Sequence, residues 1–109
     1  MDEVAAGARA RLDVEAAGDG GPLLVRLGGE LDLAGLPDVL PALDRLLGMP
    51  PQPVRIDAGD LRFLDSTGVA VLIRIANHFD RVELVHSTPA VRRVVLALGL
   101  APHLGLDGD

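Results

Sequence analysis

The chain has 109 residues, of which 49% are hydrophobic and 2% aromatic, and it contains no cysteine. This composition suits one domain with an aliphatic core, and it excludes a two-lobed enzyme, a disulfide scaffold and a protein that stacks bases on aromatic side chains. The sixteen acidic and ten basic residues give a net charge of −6, which excludes a concentrated basic face for nucleic acid.

The first half of the chain predicts a β-hairpin followed by an amphipathic helix. Apolar and polar residues alternate over residues 12–16, and residues 23–27 form a second apolar run after a glycine-rich turn. Leucine and valine then recur at helical spacing from Leu36 to Leu47, and Gly48 ends this pattern. Residues 1–10 are expected to form a loose N-terminal arm.

The second half predicts alternating strands and helices. Residues 54–57 and 82–85 have the composition of strands, and residues 58–60 that of a loop. One apolar helix stripe comprises Val69, Leu72, Ile73 and Ala76, and a later one comprises Val91, Val94, Val95 and Leu98. The predicted fold is α/β: a small mixed sheet, with an N-terminal antiparallel hairpin and then parallel β-α-β crossovers, packed with about three helices. A single domain would span residues 11–106, with residues 107–109 as a tail.

Residues 65–68 stand where a strand ends and a helix begins. Their sequence is Asp65-Ser66-Thr67-Gly68, and the first three are residue types that cap helices, so a purely structural role is one interpretation. The same position also suits a switch, because a phosphate on an exposed hydroxyl there meets free N–H groups and the helix dipole. It would add roughly −1.5 to −2 charge beside Asp65.

A second polar segment contains Glu30 and Asp32, at the end of the second predicted strand. Because the carboxyl ends of parallel strands meet at one edge of a sheet, Asp32 is expected near residues 65–68, although a solvated connection is the simpler interpretation. No metal-ligand spacing, phosphate-binding loop or nucleophile motif is present in the sequence. We therefore expect no metal, no cofactor and no enzymatic activity.

Taken together, these motifs resemble the STAS domain, and more narrowly the bacterial anti-sigma factor antagonists. The segments that carry the resemblance are, in order, residues 29–32, 54–57, 61–68, 85–94 and 98–100. The resemblance implies that Ser66 is phosphorylated by an anti-sigma factor that is a serine kinase, and that a phosphatase reverses this. It also implies that the unphosphorylated chain binds this kinase and frees a sigma factor, with the partner-binding residues Asp32, Asp65, Ser66, Thr67 and Gly68.

The sequence departs from that family in three places. Gly35 stands where a threonine often begins the first helix, residues 68–89 are shorter by about one helical turn, and the last helix is missing after Leu106. An aliphatic groove left by that helix would invite a partner or a second copy of the chain, which would make a homodimer.

Two other functions remain open from the sequence. One is a non-catalytic STAS subunit of a stressosome-like assembly or of an ABC lipid-transport complex. The other is a small-ligand site or an enzyme built on Asp65 and Ser66. The acidic N-terminus lacks the apolar segment of a signal peptide, so we expect a cytoplasmic protein that does not insert directly into a membrane.

Overall fold

Among the residues that the structure describes, five strands form one sheet in the order in which they occur along the chain. They are β1 (Ala10–Glu15), β2 (Leu23–Leu31), β3 (Pro53–Leu64), β4 (Arg81–Val85) and β5 (Gly105–Leu106). The computed structural model describes residues 9–16, 18, 20–100, 102 and 104–106. Residues 1–8 of the predicted arm and the tail at residues 107–109 lie outside this description.

The strand directions confirm the predicted mixed sheet. β1 is antiparallel to β2, and β2 to β5 are parallel to one another. The connections between the parallel strands carry α1 (Leu36–Leu47), α2 (Ser66–His78) and α3 (Pro89–Ala97). β5 is additional to the prediction, because a strand of two residues has too little sequence for a period. The buried side chain of Leu104, 1% exposed, anchors it to the core.

The three helices cover one face of the sheet. Right-handed crossovers that advance strand by strand in one direction place their helices on the same side. Side-chain burial agrees, since Val25, Ile56 and Leu84 lie in register on neighbouring strands and are fully buried. The neighbouring residues Arg26 and Arg55 point to the opposite face and are exposed. The opposite face is therefore open to solvent.

β3 is longer than predicted, and residues 58–60 belong to it and not to a loop. The register with β2 shifts between Arg26 and Gly28, where two residues of β3 lie opposite one of β2, and it shifts again after Gly29. Such β-bulges bend a strand and interrupt its alternation. The Ala58-Gly59-Asp60 sequence therefore has the composition of a turn although it lies within the strand, where Asp60 pairs with Gly28.

The buried face of α2 differs from the predicted stripe. Val69 and Leu72 are buried as expected, but Ile75 is fully buried and Ile73 is 37% exposed. Residues 69–76 are apolar except for Arg74, so the sequence pattern does not determine which side of this stretch faces the sheet. In α3 the predicted stripe holds for Val91 and Val95 and partly for Val94, whereas Leu98 lies beyond the helix and is 56% exposed.

The beginning of the first strand also differs from the predicted domain boundary. Ala10, assigned to the arm by its sequence, is the first residue of β1 and is 2% exposed. It pairs with Gly29 of β2, and this pairing places Arg9 directly beside the end of β2.

Candidate functional site

Asp65 caps the helix that carries the candidate hydroxyls. Its backbone is extended, and its Oδ1 accepts hydrogen bonds from the backbone N–H groups of Thr67, at 2.8 Å, and of Gly68, at 3.2 Å. Two of the N–H groups that a helix leaves free at its first turn are thereby satisfied. The structural interpretation of Asp65 is therefore correct, and it leaves the neighbouring hydroxyls free for another role.

Ser66 is the open hydroxyl of the segment. It is the first residue of α2 and is exposed, whereas Thr67 is half-buried. An approaching protein therefore reaches Ser66 more easily than Thr67. This difference in exposure favours Ser66 as the residue that a kinase would modify.

Gly68 joins the first turn of α2 to the end of β2. A Cβ atom at this position would overlap the carbonyl oxygen of Leu31 and a methyl group of Leu64. The same Leu31 carbonyl accepts a hydrogen bond from the N–H of Asp65, at 3.4 Å. The segment that carries Ser66 thus contacts the last residue of β2, directly before Asp32, as the topology of the sheet predicts.

Asp32 lies beside this contact, but both of its carboxylate oxygens are engaged. Oδ1 accepts from the N–H of Gly35 at 2.7 Å, and Oδ2 accepts from Nη2 of Arg9 at 2.8 Å. The hydrogen bond from Arg9, and next the one from Gly35, hold the pKa of Asp32 below its ordinary value. Only 14% of its side chain is exposed, so the main role of Asp32 is to stabilise the connection to α1, and little of its charge is accessible to a partner.

Arg9 is a site residue that the sequence reasoning missed. Its Nη2 also lies 2.9 Å from Oε1 of Glu30, and its backbone N–H donates to Oδ2 of Asp38 at 2.7 Å. The bond to Asp32, and the negative charges of Asp32 and Glu30, raise the pKa of the Arg9 guanidinium. No local motif indicates this arginine, because its partners follow only from the pairing of β1 with β2.

Two exposed apolar side chains accompany the site and were also missed. Leu33 is 72% exposed and Phe63 is 49% exposed. Phe63 lies opposite Glu30 in the register of β2 and β3, one residue before the strand ends. The signal available in the sequence was that each of these apolar residues directly follows a polar residue near the end of a strand.

The histidines have structural partners where they are described. Nε2 of His78 donates to the carbonyl of Met49 at 2.7 Å, and Nδ1 of His86 lies 3.3 Å from a carboxylate oxygen of Asp57. His103 lies outside the described residues. Within the part of the chain that the structure describes, no three metal-ligating side chains gather, and no helix has both the length and the apolarity to cross a membrane.

Comparison with known proteins agrees with the predicted fold. The family model described as "Mlab, STAS domain" matches residues 14–105. No curated protein sequence matches the chain. The structure of an anti-sigma factor antagonist from Mycobacterium paratuberculosis is similar, with a TM-score of 0.77 and 25% identity over 92% of this chain and 86% of that one.

The Bacillus protein SpoIIAA has a similar fold in two solved states. Its unphosphorylated form gives a TM-score of 0.62 over 91% of this chain and 90% of that one. Its phosphorylated form gives 0.61 over 91% of this chain and 93% of that one. Identity is 21% in both cases, so these structures support the architecture.

Proposed function

We propose that this chain, which belongs to the STAS domain family, is an anti-sigma factor antagonist switched by phosphorylation of Ser66. In its unphosphorylated state it binds an anti-sigma factor kinase through the surface around Asp32 and residues 65–68, and so frees a sigma factor. The observation that carries the proposal is the exposed hydroxyl of Ser66 at the first turn of α2, next to a capping aspartate.

The chemistry of the switch is phosphoryl transfer, with this chain as the substrate. Oγ of Ser66 forms a bond to the γ-phosphorus of ATP while the bond to the β-phosphate oxygen breaks, and ADP leaves. The hydroxyl proton passes to a base of the kinase. The catalytic groups thus belong to the partner, in accordance with the expectation that this chain is not an enzyme.

The position of Asp65 supports a change in binding without a change in fold. Phosphate at a helix N-terminus normally gains from the free N–H groups there. Here the N–H groups of Thr67 and Gly68 already bond to Asp65. The dominant new effect is therefore repulsion between the phosphate and Asp65, together with the cost of desolvating both charges in an interface. Phosphorylation should accordingly weaken binding to the kinase.

The site assignment is tested by phosphorylation in vitro with the anti-sigma factor kinases of the source bacterium and ATP, followed by mass spectrometry. We expect one phosphate on the wild type and on the control variant Thr67→Ala, and none on Ser66→Ala. A phosphate that persists on Ser66→Ala would overturn the assignment. A pull-down with Ser66→Ala and Ser66→Asp then compares retention of the kinase, which we expect to be lower for Ser66→Asp.

A second candidate is a non-catalytic STAS subunit of an ABC lipid-transport complex or of a stressosome-like assembly. The matching family model is described as "Mlab, STAS domain", whereas the similar structures are anti-sigma factor antagonists. This difference supports the second candidate. Stable co-purification with a membrane permease or with a megadalton assembly would favour it. Genes for an ATPase-kinase and a sigma factor next to this one would favour the antagonist.

A further inference from the structure

We propose that Arg9 is a positioning residue that presents Leu33 to an apolar pocket of the kinase, an inference that rests on the function proposed above. Among the described residues, Leu33 is the most exposed large hydrophobic side chain, at 72%. It lies between Asp32 and the start of α1, two residues after Leu31, whose carbonyl contacts the segment carrying Ser66. The exposure of the Leu33 side chain to water is costly, so its burial by a partner is favourable.

The turn that carries Leu33 is closed at its base by two hydrogen bonds from backbone N–H groups. The N–H of Gly35 donates to the Asp32 carboxylate at 2.7 Å, and the N–H of Leu36 donates to the Asp32 carbonyl at 2.9 Å. Gly35 also fits tightly, because a Cβ there would overlap the carbonyl oxygen of Glu30. Leu33 therefore stands at the apex of a turn whose closure depends on Asp32.

Arg9 holds Asp32 in that position from the first strand. Its guanidinium bonds to Asp32 at 2.8 Å and to Glu30 at 2.9 Å. Its backbone N–H bonds to Asp38 in the first turn of α1 at 2.7 Å, so one residue connects both ends of the turn. Both of these contacts are made by the same nitrogen, Nη2 of Arg9. Without Arg9, the carboxylate of Asp32 is free to rotate away from Gly35.

The occupant follows from the position of the turn and from its chemistry. The carbonyl of Leu31, one residue before Asp32, accepts from the N–H of Asp65, so a kinase that reaches Ser66 also reaches this turn. Because both oxygens of Asp32 are bonded within the chain, the turn offers the partner an aliphatic side chain in place of a free carboxylate. The half-exposed ring of Phe63 on β3 adds apolar surface at the same edge of the sheet.

The test is steady-state kinetics of Ser66 phosphorylation by the anti-sigma factor kinase that modifies the wild type. We expect Leu33→Ala to raise KM by about tenfold with kcat unchanged, as removal of a buried interface anchor does. Leu96→Ala is the matched control, since Leu96 is a 53% exposed leucine on α3. A KM for Leu33→Ala within twofold of the control value would overturn the role of Leu33.

The role of Arg9 is tested through the same two constants. Arg9→Ala should raise KM severalfold at constant kcat, and Arg9→Lys should give an intermediate value. The matched control Arg11→Ala removes a neighbouring arginine of β1 whose carboxylate contact, with Asp60, is longer, at 3.5 Å. In a Leu33→Ala background, Arg9→Ala should have little further effect on KM, because Arg9 acts through Leu33. Full additivity of the two changes would overturn this coupling.

The kinetic tests depend on the kinase and therefore on the proposed function. The ion pair between Arg9 and Asp32 is tested without the kinase by measuring the carboxyl pKa of Asp32 by NMR titration in wild type and Arg9→Ala. We expect the pKa to rise in the variant, because its largest favourable partner is removed. An unchanged pKa would overturn the positioning role of Arg9. Failure of every anti-sigma factor kinase to phosphorylate wild-type Ser66 would instead overturn the proposed function, and with it the kinase as the partner of Leu33.

Discussion

At the scale of single residues, the two aspartates of the site are engaged in hydrogen bonds within the chain. Asp65 uses its carboxylate to cap α2, and Asp32 uses both oxygens to close a turn and to bind Arg9. Ser66 and the apolar side chains of Leu33 and Phe63 are among the groups left exposed. The surface offered to a partner is thus less charged than the sequence of this region indicates, which makes one added phosphate a large relative change.

The lowered pKa of Asp32 predicts a contribution to acid stability. Because the folded state holds the Asp32 carboxylate ionised below its ordinary pKa of 3.8, the unfolded state binds the proton first as the pH falls. The contribution is therefore fully present above that value, and it is lost as the pH falls through the pKa of the folded state. Urea unfolding midpoints measured from neutral to strongly acid pH should fall less steeply for Asp32→Asn than for wild type.

The matched variant for this titration is Asp80→Asn, which removes an exposed carboxylate outside the site. Its midpoints should follow the wild-type curve through the acid range. Parallel curves for wild type and Asp32→Asn would contradict the role assigned to the bond between Arg9 and Asp32.

At the scale of elements, the close approach of α2 to the end of β2 positions Ser66. This approach requires the absence of a side chain at Gly68, whose added Cβ would overlap the Leu31 carbonyl. Gly68→Ala should therefore shift α2 and reduce the free energy of unfolding by about 1–3 kcal/mol, the usual range for overpacking a tight contact. Chemical denaturation measures this loss directly.

Gly18→Ala is the control for that substitution, because a Cβ at Gly18 would meet no atom within 4 Å. We expect its free energy of unfolding to stay within about 0.5 kcal/mol of wild type. Equal stability of the two variants would show that α2 does not pack on β2 as described.

The order and type of the elements could be predicted from the sequence, whereas their finer geometry could not. The period of α1 is clear, because its buried Val39, Leu43 and Leu46 recur at spacings of four and three residues. The phase of α2 is ambiguous, because its residues are apolar on nearly all sides. The bulges of β3 have the composition of a turn and are recognised only by their pairing with β2.

At the scale of the whole molecule, the sheet has one face covered by helices and one face open. The covered face contains the aliphatic core, and the open face carries exposed ion pairs such as Glu15 with Arg26 at 2.7 Å and Arg55 with Glu83 at 3.1 Å. Exposed pairs of this kind contribute little to stability. The core face should therefore supply nearly all of the stabilisation that keeps the site in place.

Adjacent residues of β3 test this asymmetry. Ile56→Ala removes a fully buried side chain and should reduce the free energy of unfolding by about 2–5 kcal/mol. Arg55→Ala, one position away on the open face, should cost less than about 1 kcal/mol. Similar losses for the two variants, compared by urea denaturation, would contradict a sheet with one open face.

Only part of the candidate site could be predicted from the sequence. Residues 65–68 are recognisable because a cap and its helix are neighbours in sequence, and the topology brings Asp32 to the same edge. The bond between Arg9 and Asp32 joins residues that are 23 positions apart. It depends on the register of the hairpin, which the alternation of β1 does not determine. The exposure of Leu33 likewise follows only from the closed turn.

The central claim is that one phosphate on Ser66 controls binding to an anti-sigma factor kinase. Its most direct test is the affinity of that kinase for the unphosphorylated chain and for the chain phosphorylated at Ser66, measured by isothermal titration calorimetry. We predict that the unphosphorylated chain binds at least about tenfold more tightly, the scale of an ordinary coupling between two sites. Equal affinity of the two forms, or tighter binding of the phosphorylated form, would contradict the account.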